Sequence, residues 1–273
     1  MAATGGVCGM VACVTWAPID RAELLERSGQ DPWVRWATSS QVLAVAGEQG
    51  WACVGPWRPQ LAHWGGTAVV RPGSPGQAES EALEVLARLA EEQGVAVEWF
   101  STHPGRELAV PAGLETTGSG RWDFMWTREA PPTADPVPQG VELEELHDHD
   151  DADLIETFGR RHSESFEGFP GQGFATLWLA ARDAGGELLG VGALHELASG
   201  IPHLAGIVVA ADRRGQGIGR LLTAELTRAA IAEAGVSTLG VYSDNTVATR
   251  LYAGLGYRTA HRFHTRSLTA GMQ

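Results

Sequence analysis

Residues 207–219 read IVVAADRRGQGIG, and the next sixteen, RLLTAELTRAAIAEAG, continue as a helix. An apolar, β-branched strand runs into a short loop with two arginines, and three glycines at alternate positions then open the helix. The first backbone N–H groups of a helix have no internal partners and lie at the positive end of its dipole, so this is an anion-binding arrangement. Gly215, Gly217 and Gly219 let the backbone come close to a bulky ligand. Each glycine weakens a helix by roughly 0.5–1 kcal/mol relative to alanine, so three at a helix start point to a use other than stability. Arg214 and Arg220 flank the loop and can add charge-assisted hydrogen bonds.

Other phosphate loops fit less well. A Walker loop needs Gly-Lys-Ser/Thr, and all 20 basic residues here are arginine. A dinucleotide fingerprint needs Gly-x-Gly-x-x-Gly, whereas the spacing here is Gly-x-Gly-x-Gly. The pattern Arg214-x-x-Gly217-x-Gly219 resembles the acetyl-CoA pyrophosphate loop of the GNAT (Gcn5-related N-acetyltransferase) superfamily. Downstream, TLGVYS (238–243) reads as a second strand, followed by Asn245, Ala248, Leu251, Tyr252 and Gly256-Tyr257. These match the superfamily's Asn-x-x-Ala-x-x-Leu-Tyr and Gly-aromatic pattern.

The resemblance implies an α/β fold with a mixed sheet, in which two parallel strands splay apart and receive the pantetheine arm. It implies acetyl-CoA as co-substrate, held by Ile207, Val208 and Val209, by Arg214, Gly215, Gln216, Gly217, Ile218, Gly219 and Arg220, and by Asn245 and Ala248. It further implies direct transfer to an amine, with the Val209 N–H polarising the thioester and Tyr252 protonating the departing sulfur. A phenol with a pKa near 10 suits that task. The reaction also needs a base, because an alkyl ammonium must first lose a proton. His195, Glu196 and His203 are the strand-borne candidates. His195 and Glu196 are adjacent and therefore face opposite sides of a strand.

The totals bound the remaining classes. A hydrophobic content of 44% and a charged content of 19% are those of a soluble globular protein. A net charge of −13 argues against nucleic acid or an anionic membrane as partner. The absence of lysine excludes Schiff-base, Ser-Lys and pyridoxal phosphate chemistry. Three cysteines (Cys8, Cys13, Cys53) form no CxxC pair and suggest a reducing cytoplasm. No apolar run reaches membrane-spanning length. His147 and His149 lie among aspartates in HDHDDAD, but no further ligand group follows, so no metal is expected.

The chain repeats itself. Set beside residue n + 141, Gly76 falls on Gly217, Ala78 on Gly219, Gly94-Val95 on Gly235-Val236, Ala112-Gly113-Leu114 on Ala253-Gly254-Leu255 and Trp122 on Phe263. Helical SEALEVLARLAEEQG (80–94) lies over the helix that follows the glycine loop. The first copy carries Gly73 for Arg214, Pro75 for Gln216, Pro104 for Asn245 and Pro111 for Tyr252, so it keeps the scaffold and loses the reaction. Four prolines in EAPPTADPVPQG (129–140) mark a linker. The expected organisation is a degenerate GNAT-like domain over 1–130, a Pro-rich linker over 131–140 and a catalytic domain over 141–273, as monomer or homodimer.

In order, strands are predicted at 10–16, 42–46, 51–54, 96–100, 141–146, 177–182, 188–195 and 203–209, with a helix from Asp20. A second helix over 152–166 is capped by Asp148 or Asp150, and EGFPGQGF (167–174) forms a mobile loop over the substrate side. Nine of the ten tryptophans precede residue 130, as inter-domain packing or an aromatic substrate pocket would require. Three functions stay open: an N-acetyltransferase for a small-molecule or protein amine, a transferase using another acyl or aminoacyl donor, and a non-catalytic acyl-CoA-binding protein.

Overall fold

The computed structural model describes residues 16–132 and 137–271; residues 10–15 of the first predicted strand lie outside them. The first half contains β1 (Ala17–Ile19), α1 (Arg21–Arg27), α2 (Pro32–Ala37), β2 (Leu43–Gly47), β3 (Gly50–Arg58), β4 (Ala62–Val70), α3 (Ala78–Glu92), β5 (Trp99–Thr102) and β6 (Leu114–Thr127). The second contains β7 (Val141–Leu146), α4 (Ala152–His162), β8 (Ala175–Asp183), β9 (Leu188–Glu196), β10 (Pro202–Val209), α5 (Ile218–Ala234), β11 (Ser237–Tyr242), α6 (Thr246–Ala253) and β12 (Arg258–Ala270).

These strands form one mixed sheet in the order β1-β2-β3-β4-β5-β12-β6-β11-β10-β9-β8-β7. The order is a palindrome once β1 to β6 are matched with β7 to β12. Each half contributes a run of antiparallel strands and one parallel pair, β4–β5 or β10–β11. The last strand of each half crosses over: β6 pairs with β11, β12 pairs with β5, and the two crossed strands pair with each other at the centre. Trp122 stands directly opposite Phe263 in that central pair. That pairing agrees with a two-fold relation at an offset of 141, because each of the two residues is the other's image.

The helices follow their apolar spacing. Ala78, Ala82, Leu83, Leu86 and Ala90 form a buried stripe on α3 at intervals of three and four. On α5, Leu221, Leu222, Leu226 and Ala230 do the same, and Gly235 closes the helix in the left-handed conformation. β9 is buried from Leu189 to His195, as a central strand covered on both faces must be. Asp20 caps α1 through the N–H of Glu23. Neither Asp148 nor Asp150 caps α4. The residue at that cap is Asp151, whose carboxylate accepts from the His147 N–H instead. Asp148 is used elsewhere, accepting from the Trp178 indole and the Gly173 N–H.

Candidate active site

β10 and β11 pair only at His203–Thr238 and Leu204–Leu239 and then separate. The cause lies in β10. Its register against β9 shifts between Ala205 and Val208, and Gly206 at φ +60° bends the strand. A Cβ on Gly206 would stand 2.9 Å from the Cα of Gly168, so the residue also admits the loop that follows α4. That loop is held down by buried Phe166 and Phe174 and by the Gly168 carbonyl, which takes the Nε2–H of His195 at 3.0 Å.

The opening between the strands leads into a cavity of about 880 Å³. Its walls include Ile207, Val208, His203, Asn245 and Tyr252 from the second half, Trp57 and Arg58 from β3, Trp99 from β5, and residues of β6 and β12. The crossed strands thus bring the first half to the second half's site.

Arg214 to Gly219 lie at the head of α5 beside this opening. Gly215 and Gly217 adopt left-handed φ angles of +78° and +87°, and no side chain caps the helix. Alternating left-handed residues turn successive N–H groups toward one side, which is a nest for an anion. Gly215 to Gly217 are exposed. Arg214 is tied down by bonds from Nη2 to the His162 carbonyl (2.6 Å) and from Nε to that of Val209 (3.4 Å). A Cβ on Gly219 would stand 3.5 Å from Val209 and 3.8 Å from Leu251, so the loop packs closely between β10 and α6.

Asn245 is the cap of α6, its side-chain oxygen accepting the Ala248 N–H at 3.1 Å. Tyr252 is buried, and burial pushes its phenol up to about 12, so it holds its proton at neutral pH. Val209 packs against the core around α5 and does not line the cavity, whose β10 wall ends at Val208.

The three candidate bases separate clearly. Glu196 is exposed and outside the cavity. His195 is sealed, and burial together with the charge of Arg58 lowers it to about 3. His203 lines the cavity, its ring edge-on to Trp57 at 5.3 Å. The Thr238 hydroxyl donates to the Pro202 carbonyl at 3.0 Å, so it accepts from His203 Nδ1 at 2.9 Å. That places the ring hydrogen on Nδ1 and leaves the lone pair on Nε2. Burial, reinforced by Arg58 and His195, holds the imidazole well below its ordinary value and therefore neutral.

The first half's equivalent site is filled by its own chain. Residues 103–113, the counterpart of α6 and its flanks, form no helix. Arg106 lies across the start of α3, donating to the carbonyls of Ser74 (3.2 Å) and Pro75 (2.7 Å) and to both oxygens of buried Glu79 (2.6 and 2.7 Å). Leu108 and Val110 pack against the core beneath.

Sequence reasoning missed Trp57, Arg58, Trp99, Trp122 and Glu167, all cavity residues. The tryptophan excess before residue 130 was the available signal, and it serves both purposes. Trp33 packs Trp57, Trp99 and Trp122 at 5.3–6.2 Å, and the last three also face the cavity.

Residues 143–257 match the model of the Acetyltransferase (GNAT) family. No curated protein matches the chain. Among solved structures, a GNAT-family protein from Novosphingobium aromaticivorans is 18% identical with a TM-score of 0.52, covering 91% of this chain and 97% of its own. GCN5-related N-acetyltransferases from Kribbella flavida (16%, TM-score 0.51, 92% and 95%) and Sphaerobacter thermophilus (18%, TM-score 0.50, 94% and 95%) are similarly alike. At these identities the likeness is one of fold. The chain has a GNAT-like fold along most of its length, and the match to the acetyltransferase (GNAT) family covers residues 143–257 of its second half.

Proposed function

We propose that the protein is an acetyl-CoA-dependent N-acetyltransferase whose site lies in the second half, with the first half walling the acceptor side. The observation that carries this reading is one cavity holding Tyr252 and His203 at the split between β10 and β11, with the exposed Gly215–Gly217 nest at the start of the helix that follows β10. The nest and Arg220 suit a diphosphate, and the unpaired strand edges suit an extended pantetheine arm.

The amine nitrogen forms a bond to the thioester carbonyl carbon as the carbon–sulfur bond breaks. Its surplus proton passes to Nε2 of His203, and the sulfur takes a proton from the Tyr252 phenol. Solvent then restores both groups, so amine and thioester become amide and thiol with no net proton change. His203 is too weak a base to deprotonate an ammonium in bulk, so its task is to accept the proton as the N–C bond forms. A side chain poised for proton donation beside the sulfur favours turnover over passive acyl-CoA binding.

Calorimetry with CoA, followed by an amine panel scored by released thiol, tests the reading. Binding in the micromolar range and thiol release with acetyl-CoA above longer acyl-CoAs are expected. No heat with CoA at any concentration would refute it.

A further inference from the structure

Arg58 ends β3 and lines the cavity, yet it is only 6% exposed. Its Nη1 is buried with no hydrogen-bond partner among the described residues, and no described carboxylate stands at ion-pairing distance. Its guanidinium lies over the rings of Phe169 (5.9 Å) and Phe174 (5.4 Å). Burial lowers it to about 10, against an opposing pull from Glu167, so it remains charged at neutral pH. An uncompensated buried charge is costly, and such groups are retained where something pairs with them. His203 and His195 supply no counter-charge, since an imidazole is neutral or cationic, and Arg58 disfavours their cationic forms.

We infer that Arg58 is the receptor for a carboxylate on the acceptor, so that the acceptor is a small amino acid-like molecule bearing amine and carboxylate together. The inference rests on the acetyl-transfer reading for the amine and on Arg58 alone for the carboxylate. A planar guanidinium matches a carboxylate bidentately. One cation suits a monoanion better than a dianionic phosphate, the more so with Glu167 lining the same cavity. Glu167 is oriented by the Tyr242 hydroxyl at 2.9 Å and offers the ammonium a place at the entrance. The indole rings of Trp57, Trp99 and Trp122 make the wall suit an apolar or aromatic side chain. A volume of about 880 Å³ holds a small molecule together with the end of a thioester arm.

The test is calorimetry on the full chain, with and without CoA, using L-leucine, L-phenylalanine and L-tryptophan against their primary amides. At least one free acid should bind at least tenfold more tightly than its amide. Arg58→Met should erase that preference while CoA affinity stays unchanged, and Arg58→Lys should restore part of it. Equal binding of acid and amide, no binding by any acid, or a preference that survives Arg58→Met overturns the inference. The acid–amide comparison needs no variant, so it decides even if Arg58→Met fails to fold. A chain that gives no heat with CoA but still prefers acids through Arg58 would sink acetyl transfer and leave the carboxylate receptor standing.

Discussion

The loops at 73–78 and 214–219 sit at equivalent places in the two halves and hold opposite contents. In the second, backbone N–H groups stand exposed at a helix start, with two glycines in left-handed conformation. In the first, Pro75 has no N–H to offer, and the Arg106 side chain already satisfies the local carbonyls and Glu79. The difference between the two loops is a cation bound to the first loop's carbonyls against two left-handed glycines at the second loop's helix start.

Breaking the Arg106–Glu79 pair is expected to have the largest effect. Arg106→Met leaves a carboxylate that is 1% exposed without its partner, which costs about 3–5 kcal/mol. Denaturant unfolding should show that loss with CoA affinity retained; a loss of CoA affinity as well would mean that the filled loop still serves the cofactor. Next comes Tyr252→Phe, expected to bind CoA normally and lose about 100-fold in kcat. A wild-type rate would remove Tyr252 from the chemistry.

The third test uses pH. His195 is held at about 3 in the folded protein against an ordinary value near 6.5, so the unfolded chain binds its proton first. Stability from this group is whole above pH 6.5 and falls as pH drops toward 3, by about 2 kcal/mol at pH 5. His203 acts in the same direction. A His195→Gln variant should therefore unfold with a flatter pH dependence. The smallest change copies Pro75 into the second half. Gln216→Pro removes one N–H from the nest and should weaken CoA about tenfold by calorimetry, one hydrogen bond to a charged group.

Much of this was legible before any coordinates. The glycine loop, α3, α5 and the 141-residue offset follow from local spacing, and apolar runs mark β9, β10 and β11. The choice of base was only half legible: alternation placed His195 and Glu196 on opposite faces, but that neither lines the cavity depended on the assembled fold, which seals His195 under the Gly168 loop and leaves Glu196 exposed. The fate of Arg58 was not legible at all. An arginine at a strand end ordinarily points to solvent, and here Phe169 and Phe174 from a segment more than a hundred residues away cover it. The crossing of β6 and β12 was equally hidden. Both copies present the same strand pattern, so either partner satisfies it, and only the assembled sheet decides.

That crossing makes the halves inseparable in a practical sense. A fragment ending near residue 130 would keep β6 but lack β12, leaving β5 with a bare edge and an invitation to aggregate. During synthesis β6 emerges more than a hundred residues ahead of both its neighbours, β11 and β12, and must wait unpaired for them. A protease nick at the proline-rich joint should therefore leave two pieces that travel together until denaturant parts them.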